Sequence, residues 1–117
     1  MIERDLVDSL LNFYEQCSNR GWCQVTYSKQ GFITLKSSDT NFTHVSPIYG
    51  KLPKKCLVSP KLASKNIKLL KGLITEFDRL RLITITPKWF WYDIQITLEG
   101  GAVIKKYRLR RYTIKWK

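Results

Sequence analysis

"SPKLASKNIKLLKGLITEF" (59–77) runs directly into "DRLRLITITPKWFWYDIQITLEGG" (78–101), and within this stretch the apolar period changes from 3.6 to 2. In the first half Ser59 suits an N-cap and Pro60 the first helical position, where its missing N–H is no loss. Helical stepping gathers Ala63, Ile67, Leu69, Leu70, Leu73, Ile74 and Phe77 on one side, with Lys61, Lys65, Lys68 and Lys71 on the other. In the second half "RLRLITIT" is a near-continuous apolar run, which predicts a central strand covered on both faces. "WFWYDIQITL" alternates, with Phe90, Tyr92, Ile94, Ile96 and Leu98 on one face and Trp89, Trp91, Asp93, Gln95 and Thr97 on the other. Glu99-Gly100-Gly101 predicts a hairpin turn.

Toward the N-terminus, Leu6, Leu10, Phe13, Tyr14 and Cys17 recur at helical spacing, with acids in the first turn and Gly21 as the expected terminator. "WCQVTY" and "GFITLK" predict a β-hairpin, and the stretch from Ser37 to Pro53 predicts a long irregular loop. Toward the C-terminus, "AVIKKYRLRRYTIKWK" resumes the β pattern. The order helix, hairpin, loop, helix, strands predicts one α/β or α+β domain over residues 1–117.

Composition narrows the function. An apolar fraction of 44% fits a globular chain, no apolar run is long enough to span a membrane, and the opening "MIERDLVDSLLNFYEQC" does not read as a signal peptide. Cys17, Cys23 and Cys56 are odd in number and lack CxxC spacing, so they read as reduced thiols of a nuclear or cytoplasmic protein. The net charge of +12 points to a polyanionic partner.

Catalytic chemistry is thinly represented. His44 is the sole histidine, expected in the loop "NFTHVSP"; it is either an ordinary loop residue or a general acid for RNA cleavage. Neither a metal-ligand spacing nor a phosphate-cradling glycine motif occurs, and no cofactor is expected.

Basic and aromatic residues carry the remaining signal. No acid interrupts the Lys61, Lys65, Lys68 and Lys71 face between its ends, so it is read as an RNA-binding face, the alternative being an ordinary solvated one. Lys105, Lys106, Arg108 and Arg110 form a second basic cluster within "KKYRLRR". In "RYTIKWK" the alternation sets Tyr112, Ile114 and Trp116 on one face, opposite Arg111, Thr113 and Lys115. An apolar face on a last strand suits a partner interface, or packing on the chain's own core.

The stretch "LVSPKLASKNIKLLKGLITEFDRLRLITITPKWFWYDIQITLEGG" (57–101) resembles the core of the tRNA-splicing endonuclease family, specifically its small non-catalytic subunit. The matching segments are Trp22 to Leu35, Ser59 to Phe77, Leu80 to Thr86 and Trp91 to Gly100, all degenerate apolar patterns. The resemblance implies a small mixed β-sheet flanked by two helices, the tRNA-intron-endonuclease-like (restriction-nuclease-like) domain. It also implies pairing with a catalytic subunit through the C-terminal strands, as a heterodimer within a heterotetramer that acts on pre-tRNA. Catalytic members use a Tyr, a His just before the long helix and a Lys at the entrance to the next strand. Here "KKCLVSP" has no His and Asp78-Arg79-Leu80-Arg81 no Lys, which fits the non-catalytic subunit. A stand-alone basic nucleic-acid-binding module is the alternative.

Overall fold

A computed structural model describes the backbone of residues 3–19, 22–27, 32–36, 41–45 and 55–113, and the side chains of 4–19, 22–25 and 56–113. Helix α1 (Glu3–Ser18) is followed by strands β1 (Cys23–Tyr27), β2 (Phe32–Lys36), β3 (Asn41–Val45) and β4 (Lys55–Val58). Helix α2 (Pro60–Asp78) then leads to β5 (Leu82–Pro87), β6 (Trp91–Thr97) and β7 (Val103–Arg110).

The strands form two antiparallel sheets, ordered β3-β2-β1-β4 and β5-β6-β7, so the fold is α+β. Among the described residues every strand pairing is antiparallel, so the expected mixed sheet is not seen there. A mixed sheet needs a crossover that returns the chain to the same sheet, whereas α2 carries it from the first sheet to the second.

Helix α2 starts as its sequence dictates: the Ser59 side chain accepts a 3.1 Å hydrogen bond from the Leu62 N–H, with Pro60 following the cap. Its buried side is Ala63, Leu70 and Leu73, flanked by the half-buried Ile67, Leu69, Ile74 and Phe77. These pack with Leu6, Val7, Leu10, Phe13, Tyr14 and Cys17 of α1. Ile83, Ile85, Tyr92, Ile94, Ile96 and Leu109 of the second sheet complete the core. Within β6 the alternation is as read, down to the outward row Trp91, Asp93, Gln95 and Thr97, whereas Phe90 and Leu98, expected on the inward face, lie beyond its ends and are 36% and 40% exposed.

Three sequence expectations are corrected. Strand β5 lies at a sheet edge and alternates, with Ile83 and Ile85 buried but Leu82 54% exposed. Its threonines take the outward places, so only one face is covered; the apolar run concealed a period of two. The stretch from Ser37 to Pro53 contains β3, which places His44 on a strand opposite Ile33 of β2. Phe42, Thr43 and Val45 are strand formers, and the neighbouring turn residues masked them in the sequence. Finally, Arg111 and Tyr112 are both buried, at 4% exposure each, so Tyr112 does not lie on a face open to a partner. The chain leaves β7 after Arg110, bends, and pairs Thr113 with Leu57 of β4.

The β6–β7 turn is as expected: Gly101 adopts φ 93°, a left-handed conformation open to glycine, and its N–H donates to the Leu98 oxygen at 2.9 Å. The expected helix stop at Gly21 lies outside the described residues.

Candidate nucleic-acid interface

The end of β7 is held by two buried polar side chains. Asn66 of α2 is fully buried, and its Nδ2 donates a 2.7 Å hydrogen bond to the Arg110 oxygen. The Tyr14 hydroxyl of α1 donates at 2.7 Å to the Arg111 oxygen. Burial, followed by the nearby Tyr92 and Cys17, pushes the Tyr14 hydroxyl well above its usual pKa, so it stays a donor. Beyond it, the Arg111 N–H donates to the Phe90 oxygen at 2.8 Å, and Arg111 Nη1 to the Lys88 oxygen at 2.6 Å. The Arg111 guanidinium lies 4.7 Å from the Tyr92 ring centroid, a cation–π contact that helps to compensate a buried charge.

This anchoring positions the Arg110 side chain, which is exposed. Arg110 shares a groove of about 260 Å³ with Lys61, Lys65, Leu62, Ser59 and Thr113. Thr113 closes one side: its N–H bonds to the Leu57 oxygen at 2.6 Å, and its hydroxyl lies 3.2 Å from both the Ser59 N–H and the Ser59 hydroxyl. Among the described residues no carboxylate lines the groove. Two basic clusters read separately from the sequence, the α2 face and the β7 run, thus meet at one place. Lys68 and Lys71 are exposed further along α2 and do not line the groove.

Lys106 and Arg108 lie elsewhere, on the outward face of the second sheet. Its cross-strand rows are Thr84–Gln95–Lys106 and Thr86–Asp93–Arg108. These residues, with Lys88, line a shallow depression of about 720 Å³. Arg108 Nε lies 3.2 Å from Asp93 Oδ1, and its guanidinium lies 4.3 Å from the Trp91 ring centroid. Lys105 falls on the other side of β7, exposed at the sheet edge with its Nζ 5.3 Å from the Tyr107 ring centroid.

Of the expected partner-facing residues, Tyr112 is buried in the chain's own core, 5.8 Å from Phe90 between ring centroids; Ile114 and Trp116 lie outside the described residues. Tyr112 packs inward because Arg110 and Arg111 are already tied to both helices, which turns the following residue toward β4.

Among the described residues no group of three His, Cys, Asp or Glu side chains is placed to hold a metal, and no helix is long and apolar enough to cross a membrane. The three thiols are buried, and burial pushes Cys56 from 9.0 up to about 11. Fold and site together define a small α+β domain with a basic groove and a basic open sheet face. No protein-family model, curated protein or solved structure matches the chain.

Proposed function

We propose that the chain is a non-catalytic, RNA-contacting subunit of an RNA-processing complex, of the kind implied by its resemblance to the tRNA-splicing endonuclease family. The RNA contact is supported by the groove in which Lys61 and Lys65 of α2 meet Arg110 of β7. Lys61, Lys65 and Arg110 on regular elements, with no carboxylate among the described lining residues, suit neutralisation of backbone phosphates without regard to base sequence. The net charge of +12 adds long-range attraction for the same partner.

The subunit role draws on a different surface. Leu82, Leu98, Val103 and Ile104 are 54%, 40%, 50% and 47% exposed. They collect at the β6–β7 turn end of the second sheet, where Leu82 pairs with Thr97 and Thr97 with Val103. Apolar side chains gathered at one end of a small sheet suit a protein partner. In this reading the partner is a catalytic subunit and the shared substrate is pre-tRNA. The groove alone would equally serve a stand-alone basic module, which needs no such partner.

Size-exclusion chromatography of the purified chain, followed by incubation with pre-tRNA, separates the two. A subunit self-associates when alone, becomes monodisperse with its catalytic partner, and leaves pre-tRNA uncut. A monodisperse monomer with full RNA affinity would favour the module. Cleavage that disappears in His44→Ala would overturn both.

A further inference from the structure

The outward face of β5-β6-β7 carries chemistry that phosphate neutralisation does not use. We propose that this face is a second site, which takes an unpaired nucleobase of single-stranded RNA against the Arg108 guanidinium. The inference rests on the RNA-binding reading above and adds a contact to bases.

Arg108 is held on two sides. Its guanidinium lies 4.3 Å from the Trp91 ring centroid, and its Nε sits 3.2 Å from Asp93 Oδ1. The indole and the carboxylate both contact the guanidinium, while the side chain remains 66% exposed. Much of its flat surface therefore faces solvent. Guanidinium planes and aromatic rings are the surfaces on which unpaired bases stack. The ion pair matters for the choice of ligand. An arginine already neutralised by a carboxylate is a weakened phosphate receptor, but its plane still stacks.

The surroundings complete such a site. Thr84, Thr86 and Gln95 line the same depression, offering hydroxyl and amide groups that can both donate to and accept from a base edge. Lys88 and Lys106 border it as cations for the flanking phosphates. Lys106, Arg108 and Arg110 recur at every second residue of one strand, about 6.6–6.8 Å apart along it. An extended RNA strand running beside β7 would thus pass from Lys106, across the base-stacking Arg108, to Arg110 at the groove. The depression, at about 720 Å³, is wide enough for a base and its sugar.

The test measures, by fluorescence anisotropy on the full chain, the affinity for three labelled probes. They are an unstructured pyrimidine 12-mer RNA, an abasic strand with the same number of phosphates, and a 12-base-pair RNA duplex. The inference expects the single strand to bind about tenfold or more tightly than the abasic strand. Arg108→Lys keeps the charge but removes the plane, so it should abolish most of that preference while weakening abasic binding far less. Equal affinity for the single and abasic strands, or a preference that survives Arg108→Lys, overturns the inference. A Lys61→Glu/Lys65→Glu chain tests the groove separately, because it should weaken all three probes alike. If that double variant binds as before while the Arg108-dependent preference persists, the groove reading fails and the sheet-face site stands.

Discussion

Asn66 Nδ2 donates a 2.7 Å hydrogen bond to the main-chain oxygen of Arg110, joining the buried side of α2 to the last residue of β7. Arg110 lines the candidate groove with Lys61 and Lys65, and its main chain is held there by a residue with no access to solvent. Asn66→Ala removes the shorter of two hydrogen bonds to the part-buried Arg110 oxygen, leaving only the Tyr14 hydroxyl at 3.5 Å. The expected cost is about 1–3 kcal/mol, read as a lower urea midpoint with an unchanged m-value. An unaltered midpoint would remove Asn66 from this role.

The groove makes the α2 lysines unequal. Lys61→Glu/Lys65→Glu should weaken RNA binding more than Lys68→Glu/Lys71→Glu, because only the first pair lines the groove with Arg110. Each lost phosphate contact should lower the slope of log affinity against log salt by about 0.7 for a single strand or 0.9 for a duplex. Salt titrations of the two double variants give this comparison directly. Equal effects would mean that the helix acts as a diffuse positive surface.

The Tyr14 hydroxyl and the Cys56 thiol contribute to the loss of stability at alkaline pH, alongside Tyr107 and Tyr112, whose hydroxyl pKa values burial also raises. In the folded chain burial chiefly pushes Cys56 from the ordinary 9.0 up to about 11 and Tyr14 well above its ordinary 10.0. Folded values above unfolded ones mean that the folded chain keeps protons the unfolded chain releases. Stability from these groups is therefore complete below pH 9 and declines as pH rises past 9 and then 10. Urea denaturation from pH 7 to 11 should show this decline. Tyr14→Phe should flatten the part above pH 10 while costing about 1 kcal/mol at neutral pH through the lost bond to Arg111. A midpoint that rises between pH 9 and 11 would contradict the assignment.

What could be read from the sequence was what period and capping encode. The face of α2, the Ser59 cap, the inward row Tyr92, Ile94 and Ile96, and the glycine turn all follow from local pattern. What escaped depended on tertiary partners. Asn66 looks like any polar helix residue until β7 brings a carbonyl to it. Arg111 looks like a surface cation until the Lys88 oxygen and the Tyr92 ring surround it. Strand β4 is short, and its pairing with β1 is set by register between segments distant in sequence. The cationic residues of the groove were legible as types, but their meeting was not, because it arises where α2 and β7 touch.

The tail divides at a definable point. A chain ending at Arg110 loses Arg111 and Tyr112, both 4% exposed, and the Thr113 pairing with Leu57. Removing a buried tyrosine alone costs several kcal/mol, on the order of an aromatic-to-alanine change. That truncation should unfold the domain or lower its thermal midpoint sharply, whereas a chain ending at Thr113 keeps these contacts and should stay folded. Circular dichroism melts of both chains test this. A pull-down with the longer one then reports whether residues 114–117 carry partner affinity. Stability retained by the chain ending at Arg110 would contradict the buried roles of Arg111 and Tyr112.

The most direct measurement is an amide chemical-shift map of the isotopically labelled chain during titration with single-stranded RNA at moderate salt. The account predicts that the largest shifts fall around Lys61, Lys65, Arg110 and Thr113, with a second set around Gln95, Lys106 and Arg108. Shifts confined to the apolar end at Leu82, Leu98, Val103 and Ile104, or spread evenly over the exposed lysines, would contradict it.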